Sequence, residues 1–222
     1  MKRTWLTIMI MVVMLTFVST VNANTIKLLD PGNRYSNGGP FTADVFKTVS
    51  DGLVGTAISG GGIEFTTFCL ERTEYFSKWD TLYSYSISSY AIGGGGDIHE
   101  DPNIAGQDPL DPMSAYLYYE FRMHPSTYDK KALQAAFWIL EDEMLWSAIT
   151  SGAFKTTVQE YLTDADNSGW TTIRSVVVLN LVDASGNELQ SQLGLTAVPE
   201  PTTLLLLGLG LVGLGVSRKF KK

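Results

Sequence analysis

Between residues 24 and 62 short apolar groups alternate with turn-forming clusters: Pro31-Gly32-Asn33, Asn37-Gly38-Gly39-Pro40 and Gly60-Gly61-Gly62. That punctuation predicts short strands joined by tight turns. Ile63 to Leu70 (IEFTTFCL) is rich in β-branched and aromatic residues and predicts a buried strand. Thr81 to Ile92 interleaves Leu82, Tyr83, Tyr85, Ile87 and Tyr90 with serines, the pattern of a half-buried strand. Gly93 to Gly96 then opens a loop carrying Asp97, Glu100, Asp101, Asp108 and Asp111.

Helical periodicity follows. Asp111-Pro112 pairs a cap with a first-turn proline and predicts a helix to about Arg122. A second helix is predicted from about Tyr128 to Leu145, with Leu133, Phe137, Leu140 and Met144 on one apolar face. A third, shorter helix is predicted over Phe154 to Leu162. Ile173 to Val182 returns to strand, turns at Ala184-Ser185-Gly186-Asn187, and pairs with Glu188 to Leu193. Strands, then helices, then strands favour an α+β fold: a β-rich sandwich or barrel with two or three helices on one side. One domain over 24–197 is expected, since some 175 residues suit a single core.

The two ends have a different pattern. Lys2 and Arg3, the apolar stretch Trp5 to Val18, and Val21-Asn22-Ala23 form the three parts of an export signal, with cleavage expected after Ala23. The far end is also tripartite. Val198-Pro199-Glu200-Pro201 precedes an uncharged segment, Thr202 to Val216, and a basic terminus containing Arg218 and Lys219. The uncharged segment is short of the roughly 20 residues needed to span a bilayer untilted. Its flanking charge would keep the terminus on the cytoplasmic side. This end resembles the PEP-CTERM sorting signal, with an ordinary C-terminal anchor as the alternative. The resemblance implies export by a Gram-negative bacterium, transient inner-membrane anchoring through the C-terminal helix, and processing by an exosortase, a membrane transpeptidase. The destination it implies is the cell surface or the extracellular matrix, as in biofilms.

Charge narrows the partners. Six of the 16 basic residues and one of the 23 acids lie in the two ends, so the middle carries 10 basic and 22 acidic residues, net −12. Such a surface repels phosphate backbones, and no nucleic-acid partner is expected. One Cys and two His leave no material for a disulfide scaffold or a thiolate or His-rich metal centre, so neither metal nor cofactor is expected. Asp164-Ala165-Asp166-Asn167-Ser168-Gly169 begins like a calcium loop, but its twelfth position is Ser175, which predicts an acidic turn. The run Gly93–Gly96 lacks the Lys-Ser/Thr of a phosphate loop. Glu141-Asp142-Glu143 is expected on a solvated surface. Neither His99 nor His124 sits in a catalytic motif, and an enzyme is not expected.

Cys69, in Thr67-Phe68-Cys69-Leu70-Glu71, is a lone thiol in an exported chain, and such a thiol must be buried, capped or paired. In the second helix Ala132-Leu133-Gln134-Ala135-Ala136-Phe137-Trp138 sets an amide at the edge of the apolar face. The two segments are similar to the Cys–Gln thioester domains of bacterial surface adhesins. There a Phe/Tyr-Cys-aliphatic-acid strand meets a Thr-Gln-x-Ala-aliphatic-Trp helix; here Leu133 replaces the Thr, and Phe137 the usual Ile or Val. The resemblance implies an internal Cys69–Gln134 thioester, with Phe68, Phe137 and Trp138 excluding water, that acylates an amine on a surface or matrix partner. Two alternatives stay open: a structural matrix protein without the bond, and a non-covalent glycan-binding module using Trp79, Trp170 and Tyr83.

Overall fold

The computed structural model describes residues 24–46, 51–76, 79–92, 106–150 and 152–197. The predicted export signal, residues 93–105 of the predicted acidic loop, and the C-terminal signal, with Pro199, Glu200, Pro201, Arg218 and Lys219, lie outside the described residues. No described helix is long and apolar enough to cross a membrane.

Seven strands form one antiparallel sheet in the order β3-β4-β2-β1-β5-β8-β9. They are β1 (Thr25–Leu29), β2 (Phe41–Phe46), β3 (Thr56–Ile58), β4 (Gly62–Thr67), β5 (Leu82–Ser88), β8 (Val176–Val182) and β9 (Glu188–Leu195). The two short strands β6 (Tyr90–Ile92) and β7 (Gln107–Pro109) pair separately. Period-two burial is plain in β1 and β2, where Ile26, Leu28, Phe41, Ala43 and Val45 face the core. The sheet closes on itself. Beyond β4 the chain pairs with β9 through the Cys69–Gln192 bridge, and Leu53, before β3, bridges Thr196. Leu70 N–H donates to the Ser191 carbonyl (3.1 Å), Leu193 N–H to Phe68 (3.0 Å) and Val54 N–H to Leu195 (2.8 Å). The expected sandwich or barrel is therefore a curled sheet whose edges meet, and Cys69 lies in the seam.

The described residues include three α-helices: α1 (Pro112–Met123), α2 (Lys130–Leu140) and α3 (Ala153–Asn167). Asp111 caps α1 by accepting from Met113 N–H (2.6 Å), as the Asp-Pro pair predicts. Asp129 caps α2 by accepting from Lys131 and Ala132 N–H (2.8 and 3.0 Å). Its own N–H donates to the Tyr161 hydroxyl (2.7 Å), which ties α2 to α3. α2 is shorter than its periodicity predicts, because the chain turns at Glu141 and Asp142 takes a left-handed φ of 57°. α3 runs further than expected and carries Asp164 and Asp166 on its exposed last turn. That places the calcium-like segment on a helix end and not in a turn. Nor is Glu141-Asp142-Glu143 all surface: Glu141 and Glu143 are buried. Glu141 accepts at long range from Asp111 N–H (3.4 Å) and Glu143 from Arg72 N–H (2.9 Å).

Candidate site at the closing seam

Every residue from Ala132 to Trp138 is buried. Gln134, expected at the edge of the apolar face, is fully inside with an exposure of 0 %. A buried primary amide must find partners for both its oxygen and its nitrogen. It finds them on two other segments. Gln134 Oε1 accepts from Gly39 N–H (2.8 Å) and Cys69 N–H (3.2 Å), and Nε2 donates to the Cys69 carbonyl (2.9 Å). Because two N–H groups face one end and a carbonyl the other, the amide's orientation follows from its surroundings.

The Cys69 thiol lies 3.4 Å from Gln134 Oε1. With a C=O bond of about 1.2 Å, the sulfur is at most about 4.6 Å from the carbonyl carbon. Cys69 is 0 % exposed, and burial pushes its thiol well above the usual range. Gly39 N–H opposes that rise, the charge of Glu71 adds to it, and the neighbouring Trp138 side chain opposes it.

Glycine is required where the 30–40 segment crosses the pair. A methyl group on Gly39 would stand 2.8 Å from Gln134 Oε1 and 3.1 Å from Phe68 Cα. One on Gly38 would overlap the Trp138 ring and stand 3.0 Å from Cys69 Sγ. Tyr35 pins this segment, packing on Trp138 (ring centroids 5.8 Å) and stacking on Phe154 (5.2 Å). Of the predicted pocket aromatics, Trp138 borders the sulfur. Phe68 and Phe137 are buried beside one another (5.2 Å) and extend the apolar packing toward Phe121.

The segment after Cys69 is held by buried polar groups. Gln190 Nε2 donates to the Glu71 carbonyl (2.8 Å), and Ser191 N–H donates to Glu71 Oε2 (2.7 Å). Burial pushes the Glu71 carboxyl from its ordinary 4.5 up to about 8. The folded chain thus keeps a proton that the unfolded chain releases, so this group's contribution to stability falls as pH rises from about 4.5 to about 8. Glu74, Asp111 and Glu141, also raised by burial, act in the same direction. The urea midpoint should drop across that window, and Glu71→Gln should flatten part of the slope. A variant whose profile parallels the wild type would assign the dependence to the other acids.

Tyr83 is buried, whereas Trp79 is 37 % exposed, with the Arg34 guanidinium 5.0 Å from its ring centre. Trp170 is partly covered by Tyr116 and Tyr119. His124 is exposed at the end of α1. Among the described residues no group of three or more His, Cys, Asp and Glu side chains is placed to hold a metal ion.

Four contributors escape a sequence reading: the N–H groups of Gly39 and Cys69, the fit of Gly38 against Trp138, and the buried strand pair Cys69–Gln192. The Gly-Gly-Pro run is visible in sequence but reads as a turn. Residues 197–219 match the PEP-CTERM protein-sorting motif. No curated protein and no solved structure matches the chain. The motif makes this an exported protein targeted to an exosortase.

Proposed function

We propose that the domain attaches covalently to amine-bearing partners at the cell surface or in an extracellular matrix, through an internal thioester between Cys69 and Gln134. The observation that carries the reading is the convergence of Gly39 and Cys69 N–H groups on Gln134 Oε1 with the Cys69 sulfur alongside. Two N–H groups already aimed at the oxygen that would gather charge are the arrangement that stabilises an oxyanion as it develops. The sulfur attacks the amide carbon; the oxygen gathers charge between the two N–H groups; the C–N bond breaks and ammonia leaves with the thiol proton. Holding both partners in place supplies the large effective concentration that a reaction with an amide requires. The product is shielded, because both side chains are fully buried. A partner amine then attacks the same carbon, forms an amide with Gln134 and frees the Cys69 thiol. The event happens once per molecule, so the protein is an attachment module and not a turnover enzyme.

A structural matrix role without the bond has one observation in its favour. The Gln134 amide already joins the 30–40 segment, the seam and α2 by ordinary hydrogen bonds. Methylamine separates the two. In the thioester protein Cys69 resists thiol reagents until methylamine is added, then one thiol appears as Gln134 gains methylamine. Cys69→Ala should abolish this response, and a thiol titrating without amine would favour the structural role.

Processing at both ends is part of the proposal. Peptide mapping of exported material should begin at Asn24 and contain nothing beyond Pro199–Pro201. Recovery of Leu204 to Val216 outside the cell would count against removal of the C-terminal signal.

A further inference from the structure

Cys69 and Gln134 are both 0 % exposed, so no amine reaches them unless something moves. The wall on one side is thin. The β2–β4 register pairs Phe41 with Thr67, and carried two residues further it would set Gly39 opposite Cys69. The strands do not meet there. The Gln134 amide stands between them, accepting from Gly39 N–H (2.8 Å) and bonding both backbone groups of Cys69. On this side the cover is main chain. Gly38 and Gly39 have no side chains, and a methyl group on Gly38 would come within 3.0 Å of the sulfur. The next residues outward, Asn37 and Ser36, are exposed.

Residues 30–40 link β1 to β2, and the ladder between those strands runs up to the Leu29–Thr42 pair, so both ends of the connection are anchored. Within it the bonds are local. Gly38 N–H donates to the Tyr35 carbonyl (3.0 Å), Tyr35 N–H donates to the Gly39 carbonyl (3.1 Å), and Arg34 pairs with Asp30 (3.0 Å). Its ties to the body of the domain are Gly39 N–H on Gln134, the Arg34 guanidinium over Trp79, and the Tyr35 ring. That ring lies on Trp138 (5.8 Å) and stacks on Phe154 of α3 (5.2 Å). A turn whose backbone bonds are its own can lift as a unit at less cost than unfolding the sheet.

We propose that residues 35–39 form a hinged cover through which the partner amine enters, and that the Tyr35 ring is its latch. The proposal rests on the thioester reading. With the turn lifted, an amine reaches the Gln134 carbonyl carbon while Cys69 N–H, part of the seam, still holds the oxygen. The N–C bond forms, the C–S bond breaks, and the amine's proton goes to the sulfur, leaving an amide and a thiol. With the turn down, Gly39 N–H is back on the oxygen and water is kept out. Water that enters by the same opening gives a carboxylic acid and a thiol instead. Tyr35 is thus a positioning residue that sets how often the thioester is open to either molecule.

The test uses the exported protein after its ammonia loss is complete, with release of the Cys69 thiol as readout. Tyr35→Ala removes both ring contacts and should speed methylamine addition and hydrolysis alike, by about tenfold, the scale that aromatic pairs of this kind set. Tyr35→Phe keeps the rings together and should stay within about twofold of wild type. A Tyr35→Ala chain recovered already hydrolysed, its Gln134 side chain a carboxylic acid and Cys69 a free thiol, would show the same acceleration. Wild type supplies a check that needs no variant. Below the unfolding transition its methylamine rate should hardly change with urea, because lifting one turn exposes little surface. A rate that climbs with the full urea slope of unfolding would overturn this proposal and leave the thioester standing. So would a folded Tyr35→Ala variant with wild-type rates. A wild type that never loses ammonia would remove both.

Discussion

Gly39→Ala should slow the loss of ammonia at the Cys69–Gln134 pair by about 10²–10³-fold, the range seen when one oxyanion donor is removed. The added methyl group would meet Gln134 Oε1 at 2.8 Å, Phe68 Cα at 3.1 Å and the Thr67 carbonyl at 3.2 Å. Two of these three are backbone atoms of the seam and cannot step aside, so the amide and the Gly39 N–H are forced apart. The lost contact is the shorter of the two that hold the oxygen, 2.8 Å against 3.2 Å. Overpacking of this kind costs about 1–3 kcal/mol, which a stable domain survives. Thermal unfolding of the variant checks that it still folds, and timed mass spectra give the rate. A folded variant losing ammonia at the wild-type rate would show that the Gly39 N–H does not stabilise the transition state.

Phe137→Ala should cost about 3–5 kcal/mol, enough to unfold a marginal domain. Phe137 is 0 % exposed and its ring lies 5.2 Å from that of Phe68, which meets Phe121 edge-on at 5.2 Å. Removing the ring opens a cavity between α2, α1 and the segment that carries Cys69. Leu140 is the instructive contrast. Its spacing puts it on the apolar face, yet it lies in the last turn of α2 and is only partly buried, so its truncation should cost clearly less. Urea midpoints for the two variants measure the difference directly. Equal losses would mean that the core does not centre on Phe137.

What could be read from the chain beforehand was what local chemistry governs. Asp111-Pro112 starts α1 because a side-chain cap and a proline act within one turn. β1 and β2 follow from alternation, and the Gly-rich clusters fall between strands. Lengths were less legible: the periodic face of α2 continues past residue 140, but the chain leaves the helix where Glu141 and Glu143 turn inward to cap backbone N–H groups. No composition rule announces a buried carboxylate whose partner is 30 or 71 residues away. The site divides in the same way. Cys69 and Gln134 stand out as a lone thiol and an amide among apolar residues. The parts that would make them react are the Gly39 and Cys69 backbone N–H groups, and such groups every residue but proline carries.

The most direct test of the central claim is the intact mass of the folded, exported protein, set against the sequence between its mapped ends. The Cys69–Gln134 thioester predicts a mass low by one ammonia, restored to the sequence value in Cys69→Ala and Gln134→Ala after allowance for the substitutions. A wild-type mass equal to the sequence, with Cys69 recovered as a free thiol, would contradict it.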